Sequence, residues 1–211
     1  MLTPELLAFV RASLPEPPAR VLEIGAGQGE LAIALSAAGY QMTAIDPAAE
    51  PGSNVQRQSL LETSGVFDAA VAVVAMHHVD PLAESCAHLA TLLATRATLV
   101  IDEIDVDRYD ERAAGWWLGQ RRALGFSEEH QDPPQMVKGL RDHIHALRTI
   151  DEALRPHFEF GPPIRRPYLH RWELLPALHG AEVDLIAQGL LPAVGARQIA
   201  TCRDETSGCT L

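Results

Sequence analysis

The chain has 211 residues, 47% of them hydrophobic, and a mean hydropathy close to zero, which is the composition of one globular domain with a full core rather than a disordered segment. Its 28 acids against 17 bases give a formal charge of −11, and phosphate-backbone affinity comes largely from Lys and Arg, so the charge argues against DNA and RNA, and no nucleic-acid partner is expected. No apolar run reaches the roughly 18 residues of a membrane span, and "MLTPELLAFVRASLPEP" has an early acid and no signal-peptide core, so a cytoplasmic chain is expected.

Thr3-Pro4-Glu5 reads as a helix start, with a capping hydroxyl, a proline in the first turn and then an acid; the helix ends before Pro15. "RVLEI" (20–24) reads as a short buried strand, "GELAIALSAAGY" as a helix stopped by Gly39, and "QMTAID" (41–46) as a second strand. A weaker strand or turn is expected at 54–59, "NVQRQS". "FDAAVAVVAM" (67–76) is a continuous apolar run, the mark of a strand covered on both faces. Asp80-Pro81 then caps a helix whose Leu82, Cys86, Leu89 and Leu93 share one stripe, and "ATLVID" (97–102) is the next strand. This alternation is that of an α/β fold with a doubly wound parallel sheet.

The second half differs. Residues 107–148 read as mostly helical with a proline break at 133–134, and Thr149-Ile150-Asp151-Glu152 reads as a capping box that restarts a short helix. A strand at about 165–172, a helix over about 176–189, a last strand at 195–203 and a frayed tail complete the chain. Cys86, Cys202 and Cys209 lie far apart, with neither a metal spacing nor a disulfide framework, and Cys86 reads as a buried small hydrophobe.

The glycine turn of "VLEIGAGQGELAIAL" carries the chemistry. A strand-to-helix turn rich in glycine brings backbone close to a ligand. A dinucleotide turn wants G-x-G-x-x-G or A, but here Gly25, Gly27 and Gly29 alternate and Glu30 stands at the position of the last small residue. Glu23, directly before the turn, would repel a pyrophosphate and attract a sulfonium or an ammonium. "VLEIGAGQG" resembles the first motif of class I S-adenosylmethionine-dependent methyltransferases, a carboxylate followed by G-x-G-x-G. "AID", "FDAAVAVVAMHHVDP" and "LVIDEID" resemble the second, fourth and fifth strand segments of the small-molecule branch of that family.

The resemblance covers residues 20 to 105 and implies a single domain in two halves. Residues 1–105 would bind the cofactor, and residues 106–211 would supply substrate-cover helices and the last strands. The implied fold is a Rossmann-like, seven-stranded, mostly parallel sheet with helices on both faces. A helical cover over 107–148 follows the fifth strand, and the last strand inserts antiparallel. The implied cofactor is S-adenosylmethionine, with S-adenosylhomocysteine as product. Its site would draw on Glu23, Gly25, Ala26, Gly27 and Gly29, on Asp46 for the ribose hydroxyls with Pro47 beside it, and on Met76 and His77 after the fourth strand. Where the family often places an acid for the adenine amino group this chain has Ser59 or Leu60, with Glu62 as another candidate.

His77 and His78, at the carboxyl edge of the sheet, and His143 are the candidate general bases. The plainer reading for the first two, that one packs near the cofactor while the other orders the loop, is preferred. Glu103 and Asp105 share that edge and read mainly as solvated acids. One of Trp116 and Trp117 is expected in the core, and Tyr168 and His170 share one side of the 165–172 strand. The expected activity is methyl transfer to an oxygen, nitrogen or carbon nucleophile of a small molecule, without a metal, in a monomer or homodimer. The alternative is a non-catalytic methyltransferase-like binding or regulatory protein.

Overall fold

The computed structural model describes residues 2–126 and 132–203; Cys209 and the tail lie outside them. Helix α1 (Pro4–Ser13) begins as read, with Thr3 Oγ1 accepting from the Leu6 amide at 3.2 Å. Strand β1 (Arg20–Ile24), helix α2 (Glu30–Ala37), strand β2 (Gln41–Ile45), strand β3 (Phe67–Val73), helix α3 (Leu82–Leu92) and strand β4 (Leu93–Ile104) follow. After them come α4 (Glu111–Ala123), α5 (Pro133–His143), α6 (Leu147–Leu154), β5 (Phe158–Phe160), β6 (Ile164–Arg166), α7 (His179–Ala187) and β7 (Gly195–Cys202).

The seven strands form one sheet in the order β2-β1-β3-β4-β7-β5, with β6 pairing on β7. β1 is parallel to β2 and β3, β3 is parallel to β4, and β7 runs antiparallel to β5 and β6. From Ala69 on, β3 reads as an unbroken apolar run because both its faces are covered. Leu22, Ala70, Ala72, Leu99 and Ile101 pack with Leu89 of α3 and with Ile150 and Leu154 of α6. The intervening Val21, Ala69, Val71 and Val100 pack on the other face with Leu6 and Val10 of α1 and Leu31 and Leu35 of α2. This period-two division places helices on both faces of the parallel strands.

Three expectations are corrected, and of the strand or turn read at "NVQRQS" the structure forms the bend and no strand: Gln56 alone bridges to the β2 edge, its amide donating to Ala44 O at 2.8 Å and its carbonyl accepting from Asp46 N at 3.0 Å. With Val55 its one apolar residue, the segment has no hydrophobic face to hold a longer ladder. Asp80 does not cap α3, whose N-cap position is Pro81 without a side-chain bond. Thr149–Glu152 lies inside α6, which starts at Leu147. The strand near 165–172 stops at Arg166: Pro167 has no amide to donate, and a 3-10 turn, Leu169–Arg171, follows.

The chain divides into two compact units. The first is Met1–Glu103, Arg148–Pro163 and Gln198–Leu211, and the second is Ile104–Leu147 and Ile164–Arg197. No helix among the described residues is long and apolar enough to cross a membrane.

Candidate functional site

The site starts at the turn between β1 and α2. Gly25 has φ +66°, and a Cβ there would lie 2.5 Å from Ala75 Cβ, so the turn presses against the segment after β3. Gly27 has φ +54°, but a Cβ there would meet nothing within 4 Å: its flank is open. Gly29 is the N-cap residue of α2. Ala26 is buried against Ala32, Ala44 and Val55, and its amide donates to Ile45 O at 2.9 Å. Asp46, at the end of β2, clamps the turn: Oδ2 accepts from the Gly27 amide at 2.9 Å and Oδ1 from Ala48 at 2.8 Å.

Two cavities of the first unit flank this turn. One, of about 270 Å³, is lined by Glu23, Gly25, Ala26, Gly27, Glu30 and Val73 among others. Glu23 is buried and its Oε2 has no hydrogen-bond partner. Burial pushes its carboxyl up to about 7, against a hydrogen bond from the Ala32 amide. An unpaired buried carboxyl oxygen beside the open flank of Gly27 fits a cationic ligand group, which would draw the carboxyl back to its charged form.

The other cavity, of about 390 Å³, is lined by Gly25, Asp46, Pro47, Ser59, Leu60, Val74, Ala75 and His78, with Gln58, Asp80 and Ser85 also on its wall. Glu62 is committed elsewhere: its Oε2 accepts from Ser59 N at 2.7 Å and Ser59 Oγ at 2.8 Å. Those bonds, the Ser59 amide first, hold its carboxyl below the usual range.

The segment after β3 turns its side chains to different surroundings. Met76 is fully buried in the core and His77 is buried; neither lines the larger cavity, whereas Val74, Ala75 and His78 do. The reason is the 3-10 turn Met76–His78, which aims consecutive side chains in different directions. His77 Nδ1 meets Glu103 Oε2 at 2.7 Å, and its ring lies 4.1 Å from that of the exposed His78. His143 belongs to the second unit, where its Nδ1 donates to Gly139 O of its own helix at 2.6 Å.

Glu103 and Asp105 are not solvated. Glu103 is fully buried, and Asp105 is buried and paired with Arg165. The sequence signal was present: both continue the apolar run of β4, a strand covered on both faces. Trp117 is the buried member of its pair, donating from Nε1 to Trp172 O at 2.7 Å and stacking on the Trp172 ring at 4.8 Å. Tyr168 and His170 sit in a turn gathered by Glu182, whose carboxylate accepts from the amides of Tyr168, Leu169 and His170 and from His170 Nδ1. Burial opposes the charge on Glu182, yet the bonds from His170, Tyr168 and Leu169 keep its carboxyl below the usual range. No cluster of three or more His, Cys, Asp or Glu among the described residues could hold a metal ion.

Residues 3–135, which span this turn, both cavities and the buried pair, match a family described as a methyltransferase domain. The chain belongs to the methyltransferase-domain family. A ubiquinone biosynthesis O-methyltransferase of Xanthomonas campestris pv. campestris is 36% identical over 124 residues, covering 49% of this chain and 51% of that protein. The chain thus spans about half the length of the curated relatives it matches. Among solved structures, an S-adenosylmethionine-dependent methyltransferase of Methanosarcina mazei superposes with a TM-score of 0.62 at 17% identity, covering 97% of this chain and 99% of that one. A 1,6-didemethyltoxoflavin-N1-methyltransferase of Burkholderia thailandensis, solved with S-adenosylhomocysteine bound, gives 0.57 at 19% identity, covering 94% and 76%. These likenesses fix the methyltransferase fold, into which the seven-stranded sheet falls.

Proposed function

We propose that the protein is an S-adenosylmethionine-dependent methyltransferase acting on an oxygen, nitrogen or carbon nucleophile of a small molecule. One observation carries this reading. The G-x-G-x-G turn is clamped by Asp46 and flanked by a buried carboxyl with an unpaired oxygen, which suits a ligand carrying an ammonium and a ribose. In the reading, Glu23 holds the ammonium beside Gly25, Ala26, Gly27 and Gly29. Asp46 exchanges its grip on the Gly27 amide for the ribose hydroxyls. Pro47, Ser59 and Leu60 border the adenine, and Met76 and His77 act from behind the cavity wall. When bound, the cofactor supplies an electrophilic methyl group on a sulfonium, and the chemistry is mainly its own.

The chain's share is alignment, which is worth about 7–11 kcal/mol when donor and acceptor are held in line. His78, on the wall of the larger cavity, and His143, carried by the second unit, are the candidates for taking a proton from a hydroxyl acceptor. The likeness to proteins named as O-methyltransferases supports hydroxyl compounds as acceptors to try first. The −11 charge disfavours nucleic acid, and the expected cytoplasmic location and monomer or homodimer state belong to the same proposal.

The test incubates the protein with methyl-labelled S-adenosylmethionine and a panel of phenols, carboxylates and amines. Label in at least one small molecule, lost in Asp46→Ala, is the expected result. Binding of S-adenosylhomocysteine without transfer to any acceptor would instead favour the non-catalytic methyltransferase-like reading.

A further inference from the structure

The segment that closes β3 is held in place from the neighbouring strand. Val74 has φ +54°, a left-handed conformation that a β-branched residue keeps only where its surroundings enforce it. Its amide donates to Asp102 O at 2.7 Å. The next residue is held by a side chain: Ala75 N donates to Glu103 Oε1 at 2.8 Å, with His77 N at 3.4 Å from the same oxygen. Glu103 Oε2 takes the His77 ring nitrogen Nδ1 at 2.7 Å. Glu103 has no solvent exposure and His77 is buried, so water does not compete for these bonds. Ala75 in turn abuts Gly25 so closely that a Cβ on that glycine would lie 2.5 Å from the Ala75 Cβ. Val74, Ala75 and His78 form part of the wall of the 390 Å³ cavity.

We propose that Glu103 and His77 are a positioning pair that fixes the strained segment 74–78 against the glycine turn and so sets the shape of the cofactor cavity. The inference rests on the reading of that cavity as the cofactor site. The 2.7 Å contact between His77 Nδ1 and Glu103 Oε2 ties the ring to Glu103. His77 therefore shapes the site without touching the reacting atoms, and His78 is the histidine left on the cavity wall.

The test compares Glu103→Ala, Glu103→Gln and His77→Phe with the wild-type protein, each checked for folding by circular dichroism. Hydrogen exchange reads the segment without any ligand: the amides of Ala75 and His77 are expected to be protected in the wild type. In Glu103→Ala they should exchange at least tenfold faster, while those of β1 and β3 do not change. Calorimetric titration with S-adenosylhomocysteine should show at least tenfold weaker binding for Glu103→Ala and a several-fold loss for His77→Phe, which keeps the ring volume. Glu103→Gln should recover affinity to within about threefold, since an amide can accept from Ala75 and donate to an unprotonated His77 Nδ1. Unchanged exchange or affinity in Glu103→Ala overturns the pair, as does Glu103→Gln being as weak as Glu103→Ala. If Glu103→Ala fails to fold, wild-type affinity in His77→Phe overturns it equally. A wild-type protein with intact protection but no binding overturns the cofactor reading, and with it the role of the pair in binding.

Discussion

Glu23, next to last in β1, has one buried, unpaired carboxyl oxygen, and burial lifts its pKa from 4.5 to about 7. The folded protein then holds a proton that the unfolded chain releases near 4.5. Without ligand, this residue's contribution to stability is greatest below about 4.5, declines as pH rises, and is gone above about 7. A shift of that size corresponds to stability on the order of 3 kcal/mol. The melting temperature of the free protein should therefore fall between pH 5 and pH 7.5 by about 5–10 °C more than that of Glu23→Gln, measured by scanning calorimetry. Ligand binding runs the other way: an ammonium needs the carboxylate, so S-adenosylhomocysteine should bind more tightly as pH passes through 7, and Glu23→Gln should flatten that profile. A wild-type and a variant with parallel melting profiles would contradict the assignment. At this scale Glu23 and Asp46 were legible in the sequence because they sit at strand ends beside a motif. Glu103 was legible only through the apolar run of β4 that it continues, and Glu182 was not, because such a buried acid is recognisable only once the amides it satisfies are brought to it by the fold.

The glycine turn divides its work between packing and binding. Gly25 is confined by Ala75, whereas Gly27 faces open space. Gly25→Ala adds a left-handed alanine and an overlap, and should cost about 2–4 kcal/mol of stability. Gly27→Ala meets no neighbour, should cost only about 1–2 kcal/mol, and should weaken S-adenosylhomocysteine binding at least tenfold. Urea midpoints and calorimetric titration together check both; equal stability losses, or a Gly27→Ala protein that binds as wild type, would contradict this division. The same scale explains what the sequence could predict. Strand β3 announces itself as an apolar run, unbroken from Ala69 on, because both its faces are covered. Residues 54–59 carry no such run, the Thr149–Glu152 spacing falls inside a helix whose start at Leu147 has no capping residue to mark it, and Pro167 ends a strand that alternation alone would extend.

For the whole molecule, the two helix-covered faces of the parallel strands bring the ends of β1, β2 and β3 to one edge, where Gly25, Asp46 and Val74 surround the larger cavity. Fold class and the glycine-turn half of the site were therefore readable from the order of elements, since a parallel sheet exposes its functional loops at the carboxyl ends of its strands. The second unit was readable only as helices. Its Trp117–Trp172 stack and its Glu182 knot join residues distant in the chain and carry no motif.

The most direct measurement is a thermal-shift titration of the wild-type protein and Asp46→Ala with S-adenosylhomocysteine. At 100 times the dissociation constant the ligand should add about 2.7 kcal/mol of stability, raising the wild-type melting temperature by about 5–10 °C and leaving Asp46→Ala nearly unmoved. A folded wild-type protein that shows no shift would contradict the assignment of the cofactor site.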